Sequence, residues 1–230
     1  LTFEPHPREF FNPEDAPRRI SSLHDKVEAI EACGIQRVYI LRFNEHLASL
    51  SPCDFVKEIL VDGLHARWVT VGENFRFGKN AAWGVTELMK FGEKYGFEVI
   101  AESLTGENGT AYSSEYFRTM LKEGKVDKLY TLGMGMYAVC SEVVGGNRIG
   151  RTLDFPTINQ QFGEKQLVPK RGVYSTVTLI DNKTYNSITN IGVKPTVEKD
   201  IKPLAETHIL DFSGNSVSYT HLTLPTNSRV

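Results

Sequence analysis

A glycine-rich loop at residues 145–152, Gly-Gly-Asn-Arg-Ile-Gly-Arg-Thr, is the segment best suited to hold phosphate. It departs from the P-loop pattern G-x-x-x-x-G-K-[ST] in Arg151, which stands where the lysine would be. A P-loop leads into a helix, but Pro156 lacks an N–H and favours extended backbone before it. The pattern therefore predicts a phosphate loop set among strands or, alternatively, a structural turn. The candidate phosphate-binding residues are Gly145, Gly146, Gly150, Arg151 and Pro156.

Two short oxygen-bearing side chains follow the loop at Thr157 and Asn159. Mg²⁺ prefers oxygen ligands, and it is often bound by few protein groups together with substrate phosphates. We therefore predict that Thr157 and Asn159 bind Mg²⁺ or phosphate oxygens. If the loop is only a turn, both side chains are ordinary strand residues.

Candidate ligand-binding side chains in the first half follow predicted strands, where open α/β sheets bind their ligands. His6 comes after a strand end, and the turn at residues 71–74 follows another. Asn74 offers hydrogen bonds, and Phe75 or Phe77 could stack on a planar heterocycle. The alternatives are an ordinary turn residue at His6 and a hairpin with a core aromatic.

A predicted helix start at Ser113 and Ser114 presents hydroxyl and N–H groups that suit an anion. Arg118 lies one turn further on the same helix face. The three residues are predicted to bind a phosphate-bearing ligand. The alternative is a plain helix N-cap.

The elements around these residues divide into two patterns. From residue 1 to about 132, strands alternate with helices, such as the helix that Ser22 can cap and the helix at 85–95. Repeated β-α-β units predict a parallel, doubly wound sheet. After residue 132, short strands separated by Gly, Pro and Asn predict an antiparallel barrel or sandwich. We therefore predict an α/β domain over residues 1–132 and a small antiparallel β-barrel domain over residues 133–216.

The motifs also follow one another in a known order. The second half resembles the riboflavin kinase module at residues 145–159, 169–174, 190–196 and 206–212. The first half resembles the FMN adenylyltransferase module, which has a nucleotidyltransferase-like fold, at residues 2–7, 71–78 and 113–118. The chain up to about residue 215 thus resembles the bacterial bifunctional riboflavin kinase/FAD synthetase family.

The resemblance implies an enzyme of flavin cofactor biosynthesis, with ATP as co-substrate and riboflavin, FMN and FAD as substrates or products. It implies that Glu206 is the general base that accepts the ribityl hydroxyl proton, although the sequence alone favours a surface strand glutamate. It also implies that Thr157 and Asn159 hold Mg²⁺ and the nucleotide phosphates beneath the glycine loop. His6 and the turn at residues 71–78 would line the flavin and nucleotide site.

Some family features are replaced or lie outside the sequence. Glu115 stands where the family has threonine after the two serines, and its charge would repel a triphosphate. The family's G-x-F-D-G-x-H-x-G-H loop would precede Leu1, and the kinase module normally continues beyond Phe212. We therefore expect both activities to be impaired in the chain as given. Two other functions stay open: a catalytically silent flavin- or nucleotide-binding fragment, and an adenylyltransferase for a non-flavin substrate.

Residues 217–230 depart from the family pattern and resemble a translated sequencing adaptor. This predicts a non-native tail that takes no part in the barrel. The alternative is a native strand, because Val217, Tyr219 and His221 alternate with small polar residues.

Composition limits the possible partners. The formal net charge of −2 does not favour nucleic acid or an anionic membrane, and the sequence has no apolar run of membrane-spanning length. The three cysteines form no C-x-x-C pair, which fits a reducing compartment. We predict a cytoplasmic enzyme acting on small molecules, without nucleic acid or membrane partners. The oligomeric state stays open.

Overall fold

The computed structural model describes residues 1–107, 109–132, 137–141, 143–144, 156–181, 183–193, 203–212 and 220–226. In chain order its helices and strands are β1 (Thr2–Glu4), α1 (Pro7–Phe11), α2 (Leu23–Ala32), β2 (Ile40–Arg42), α3 (Glu45–Ser49), α4 (Pro52–Phe55), β3 (Trp68–Gly72), α5 (Val85–Tyr95), β4 (Glu98–Glu102), β5 (Gly106–Glu107), β6 (Thr110–Ala111), α6 (Ser114–Glu123), α7 (Val126–Thr131), β7 (Tyr137–Ser141), β8 (Val143–Val144), β9 (Thr157–Gln161), β10 (Gly172–Ile180), β11 (Lys183–Val193), β12 (Pro203–Ile209) and β13 (Thr220–Thr226). A π-helical segment, Val56–Gly63, continues directly from α4.

The chain divides into two compact units. The first unit comprises Leu1–Pro17 and Val38–Tyr112, and the second comprises Arg18–Arg37 and Ser113–Val230. This division differs from a single boundary near residue 132, which stays a prediction.

The first unit contains the parallel strand pairing predicted from its β-α-β pattern. β1 pairs with β2 and β3 pairs with β4, so the described parallel strands form two separate pairs. Helix α5 packs close to β4, and a Cβ at Gly92 would lie only 2.5 Å from the carbonyl oxygen of Phe97. The buried core of this unit consists of Val56, Leu60, Phe77, Leu88, Phe91 and Phe97.

The second unit contains an antiparallel seven-stranded sheet in the order β7-β13-β10-β11-β12-β9-β8. Its outermost strands are consecutive in the chain, because Ser141 ends β7 and Val143 begins β8. Two Cα–Cα steps span at most about 7 Å, whereas the edges of a flat seven-stranded sheet would lie about 29 Å apart. The sheet therefore curls into a barrel. The predicted fold class, an α/β domain followed by a small antiparallel barrel, is confirmed.

Helices α6 and α7 pack on the barrel through their apolar residues. The two helices contribute Phe117, Met120, Leu121, Val126 and Leu129 to the core. The strands and the loop before β10 contribute Tyr137, Val139, Leu167, Tyr174, Ile191 and Ala205.

The inner face of strands β10, β11 and β12 carries a buried chain of hydroxyl groups. Thr176 Oγ1 lies 2.7 Å from Ser187 Oγ and 2.9 Å from Thr189 Oγ1. The chain continues from Ser187 to Thr178 at 2.7 Å and from Thr189 to Thr207 at 2.8 Å. Each hydroxyl is thereby hydrogen-bonded, as burial requires.

Strand β13 corrects one expectation about the last residues. Residues 217–230 were expected to take no part in the barrel, but Thr220–Thr226 lies between β7 and β10 and pairs with both. The expectation is wrong for these seven residues, because their extended backbone completes two antiparallel ladders. The non-native origin of the tail stays a prediction.

Candidate functional site

Strands β9 and β12 place three of the predicted kinase residues on one face of the barrel. Asn159 on β9 is directly opposite Glu206 on β12, and Thr157 is opposite His208. Residues two apart on a strand share a face, and opposed residues in antiparallel pairs have Cβ atoms about 4.5–5.5 Å apart. Thr157, Asn159, Glu206 and His208 therefore form one cluster, which we call the outer face. It is opposite to the face that carries the buried hydroxyl chain.

The Asn159 side chain is the most distinctive group of the outer face. It is 6% exposed, and its Oδ1 atom has no hydrogen-bond partner among the described residues. A buried carbonyl oxygen without a partner costs about 1–3 kcal/mol. An oxygen in this state suits a hard cation or a ligand donor. The predicted metal ligand is thus a buried side chain with an unused acceptor.

In the register of the strands, Glu206 lies between two residues that have amide side chains. Asn190 on β11 is opposite it on one side and Asn159 on the other. Glu206 is half-buried, so it can meet a ligand without complete desolvation. Asn190 was not selected from the sequence, because only the strand order β11-β12-β9 brings it beside the glutamate.

His208 was also missed, and it connects the two strands at the start of β9. Its Nδ1 lies 2.9 Å from the carbonyl oxygen of Pro156. Since a carbonyl only accepts, the imidazole donates this hydrogen bond. The signal available in the sequence was its position two residues after Glu206, which places both on one face of a strand.

The glycine loop itself is not described by the structure. Gly145, Gly146, Gly150 and Arg151 lie outside the described residues, and their predicted role stays a prediction. Pro156 is described and is exposed immediately before β9.

The candidate residues of the first unit are held by local structure. His6 is exposed and caps helix α1, with its Nδ1 accepting from Arg8 N–H at 3.1 Å. Phe77 belongs to the buried core, and its ring stacks on Phe75 at a centroid distance of 5.6 Å. Asn74 is exposed in the turn after β3. A ligand could reach Asn74 and half-buried Phe75 more easily than Phe77.

Ser113 and Arg118 make contacts that belong to helix α6 and to the preceding segment of the second unit. Ser113 is the N-cap, and its Oγ accepts from Tyr116 N–H at 3.2 Å. Arg118 Nε donates to the Arg18 carbonyl at 2.9 Å, and its Nη1 lies 3.3 Å from Glu115 Oε2. Ser114 is exposed in the first turn. These contacts match the plain N-cap alternative, and a ligand-binding role for the three residues stays a prediction.

Two properties of the described part of the chain concern metal binding and membrane insertion. It has no group of three or more His, Cys, Asp or Glu side chains placed to hold a metal ion. Metal binding by Thr157 and Asn159 together with ligands from the substrate stays a prediction. No described helix has both the length and the apolar character needed to cross a membrane.

Comparison with protein families gives two consecutive matches. Residues 1–116 match the FAD synthetase family, and residues 134–225 match the riboflavin kinase family. The second match includes the outer face and most of β13.

Individual relatives agree with these matches. The chain is 38% identical to a bifunctional riboflavin kinase/FMN adenylyltransferase of Pseudomonas fluorescens, with 94% of the chain and 68% of the relative covered. It is 33% identical to the enzyme of that name from Escherichia coli strain K12, with 92% of the chain and 67% of the relative covered. The chain thus spans about two thirds of the length of these relatives.

A solved structure shares the fold. It is described as a macrolide-efflux protein from Streptococcus pneumoniae, and it superposes with a TM-score of 0.80 over 91% of the chain and 67% of that protein. The sequence identity is 22%, so the likeness concerns the fold alone.

Proposed function

Because the chain belongs to the bifunctional riboflavin kinase/FMN adenylyltransferase family, we propose that its second unit phosphorylates riboflavin to FMN with ATP. Membership of this family also supports the adenylylation of FMN to FAD as a second activity. The observation that carries the kinase proposal is the register of β9 and β12, which sets Glu206 beside Asn159 and places Thr157 on the same face.

Glu206 is proposed as the general base. Its carboxylate would accept the proton of the ribityl hydroxyl while the hydroxyl oxygen bonds to the γ-phosphorus of ATP and the bond to ADP breaks. A positioned base contributes about 10²- to 10⁴-fold to a rate. The half-buried position of Glu206 between Asn159 and Asn190 supports this role, because amide side chains orient a carboxylate without neutralising it.

Thr157 and Asn159 are proposed to hold Mg²⁺ together with the nucleotide phosphates. The unused, buried Oδ1 of Asn159 and the hydroxyl of Thr157 are neutral oxygen donors, which fit an ion whose charge is balanced by phosphate. When bound, Mg²⁺ neutralises charge on the transferring phosphoryl group. Gly145, Gly146, Gly150 and Arg151 would cover the phosphates, with Pro156 fixing the strand that follows.

The adenylyltransferase site is proposed from sequence resemblance and from partial exposure. Asn74 and Phe75 would meet the flavin or the nucleotide, whereas Phe77 would support Phe75 from the core. His6, Ser113, Ser114 and Arg118 are proposed as further ligand-binding residues in their respective units. We also propose a cytoplasmic location, since three cysteines without a C-x-x-C pair suit a reducing compartment.

The test is a riboflavin kinase assay with Mg-ATP that measures FMN formation for the wild-type chain, Glu206→Gln and Glu31→Gln. Glu31 is an exposed glutamate of α2 in the same unit and provides the matched control. Glu206→Gln is expected to lower kcat by about 10²- to 10⁴-fold with little change in ATP affinity. Glu31→Gln is expected to behave as the wild type.

Two results would change the proposal. Unchanged turnover in Glu206→Gln would remove Glu206 from the mechanism. Mg-ATP or riboflavin binding without any turnover in the wild-type chain would instead favour the catalytically silent binding fragment.

A further inference from the structure

The hydrogen bond from His208 to Pro156 is placed where the backbone ladder between β9 and β12 ends. The register runs from Leu204 opposite Gln161 to His208 opposite Thr157, and no described pair follows. The carbonyl of Pro156 is thus bonded by a side chain at the point where backbone pairing stops. Without this bond, β9 could fray from its first residue, Thr157.

Of the two proposed metal ligands, Thr157 is the more exposed. Asn159 is buried and held by pairs on both sides, since Glu206 is opposite it on β12 and Val144 on β8. Thr157 is exposed and is the first residue of β9. The two oxygen donors can act on one ion only if the strand end keeps its position relative to Asn159.

We propose that His208 is a positioning residue for the metal pair. It fixes the Thr157 end of β9 by donating its Nδ1–H to the Pro156 carbonyl, and it thereby holds the Thr157 hydroxyl at a constant distance from Asn159 Oδ1. The inference rests on the proposed function for the identity of the bound ion. The hydrogen bond between His208 and the Pro156 carbonyl does not depend on that function.

Three substitutions separate the Nδ1 donor from the rest of the imidazole. In His208→Asn, the side-chain nitrogen can occupy the position of Nδ1 and donate to Pro156. In His208→Gln, the nitrogen reaches the position of Nε2, and in His208→Ala no donor remains. His24→Gln is the matched control, because His24 is an exposed histidine of α2 in the same unit.

The first measurement is amide hydrogen exchange at residues 157–159, which requires neither metal nor nucleotide. Wild type, His208→Asn and His24→Gln are expected to protect these amides equally. His208→Gln and His208→Ala are expected to exchange roughly three- to tenfold faster, the equilibrium effect of one net hydrogen bond. Equal protection in all variants would contradict the proposal that His208 fixes the start of β9.

The second measurement is calorimetric titration with ATP at several Mg²⁺ concentrations, together with kcat and KM for FMN formation. His208→Gln and His208→Ala are expected to need several times more Mg²⁺ and to raise the KM for Mg-ATP, while kcat changes less. His208→Asn is expected to restore the wild-type values. A loss in His208→Asn equal to that in His208→Ala would overturn the role of Nδ1. If His208→Ala exchanges faster but keeps the wild-type Mg²⁺ dependence, His208 does not position a metal ligand. If the wild-type chain shows no turnover, only the proposed kinase function is contradicted.

Discussion

In the second unit, strand register brings Thr157, Asn159 and Glu206 to neighbouring positions, whereas in the first unit the predicted site residues are held by local turns, a helix start and core packing. Asn159 and Glu206 are 47 positions apart by their residue numbers, yet antiparallel pairing makes them direct neighbours. His6 is a helix cap, and Phe77 is part of an aromatic core. Strand pairing can place residues that are far apart in sequence next to each other, while a turn positions only its own residues.

The interiors of the units differ as well. The first unit packs Phe77, Phe91 and Phe97 into an apolar core. The barrel of the second unit instead carries a chain of buried hydroxyl groups next to its apolar cluster. A slip of one residue moves every side chain of a strand to the other face, so it would break these hydroxyl contacts together. The site of the second unit is therefore tied to the correct pairing of its strands.

Among these changes, deletion of residues 217–230 is expected to lower the stability of the second unit most. It removes β13 from between β7 and β10, so the barrel loses two ladders and the loss exceeds the roughly 1 kcal/mol of a single substitution. The measurement is thermal unfolding by circular dichroism, with deletion of residues 227–230 as control. An unchanged transition in the longer deletion would instead support a tail that takes no part in the barrel.

Truncation of one core leucine in each unit tests whether the units respond separately. Leu121→Ala in the second unit and Leu88→Ala in the first each remove a side chain that is 0% or 1% exposed, and each is expected to cost about 2–5 kcal/mol. Both tryptophans, Trp68 and Trp83, lie in the first unit, so their fluorescence reports on that unit during guanidinium unfolding.

We expect Leu88→Ala to shift the fluorescence transition and Leu121→Ala to shift mainly the circular dichroism transition. Leu104→Ala provides a control, because Leu104 is 47% exposed. Identical shifts of both signals in both variants would mean that the chain unfolds as one unit.

Substitution of Asn159 distinguishes ligand binding from folding. Because Asn159 Oδ1 makes no hydrogen bond among the described residues, Asn159→Ala is expected to change stability little. The Mg²⁺-dependent affinity for ATP is expected to fall by at least about 10-fold, because even groups that only orient a metal ligand contribute that much. Thr157→Ala should also lower this affinity. Calorimetric titration with and without Mg²⁺ measures this, with exposed Asn186 on β11 substituted by Ala as the control. Equal affinities in all variants would identify the segment as structural.

The smallest expected effect concerns alkaline stability. Burial raises the pKa of the Tyr137 phenol, whose O–H donates to the Leu167 carbonyl at 2.5 Å. Above a pH of about 10, the unfolded chain loses this proton while the folded chain keeps it. Stability is therefore expected to fall with rising pH by up to about 1.4 kcal/mol per unit from this group.

Tyr137→Phe is expected to remove this part of the alkaline decline, although it leaves the Leu167 carbonyl without its donor and lowers stability at neutral pH. Tyr39→Phe is the control, since Tyr39 is 44% exposed. Urea unfolding at pH 8 to 11 measures both effects. The same slope in wild type and Tyr137→Phe would contradict the assignment.

Local sequence patterns predict much of the secondary structure. Ser22 caps α2 with its Oγ accepting from Asp25 N–H, and α5 spans Val85–Tyr95, both as their sequence signals predict. The sequence alone favours a strand at Glu206, and Glu206 lies on β12 in a half-buried position. Such features depend on a few adjacent residues, so the sequence contains their cause.

Long-range pairing could not be predicted in the same way. The partners of Glu206 depend on the order β11-β12-β9, which skips along the chain. Segment Arg18–Arg37 belongs to the second unit, where Arg19 N–H donates to the Lys165 carbonyl and Leu167 N–H donates to the Arg19 carbonyl, both at 2.7 Å. Nothing in either segment marks the other as its partner. These contacts arise from backbone groups that every residue carries.

Closure of the barrel through β7 and β8 has a consequence for association between molecules. A sheet that ended in two long free edges would offer unpaired N–H and C=O groups to a strand from another chain, which is a route to aggregation. Here one continuous stretch of chain occupies both edges, and among the described residues its pairing with β9 consists of Val143 opposite Gln160 and Val144 opposite Asn159. Far fewer described pairs join β8 to β9 than join β10 to β11. Opening of the barrel between β8 and β9 would expose the edge of the strand that bears Asn159.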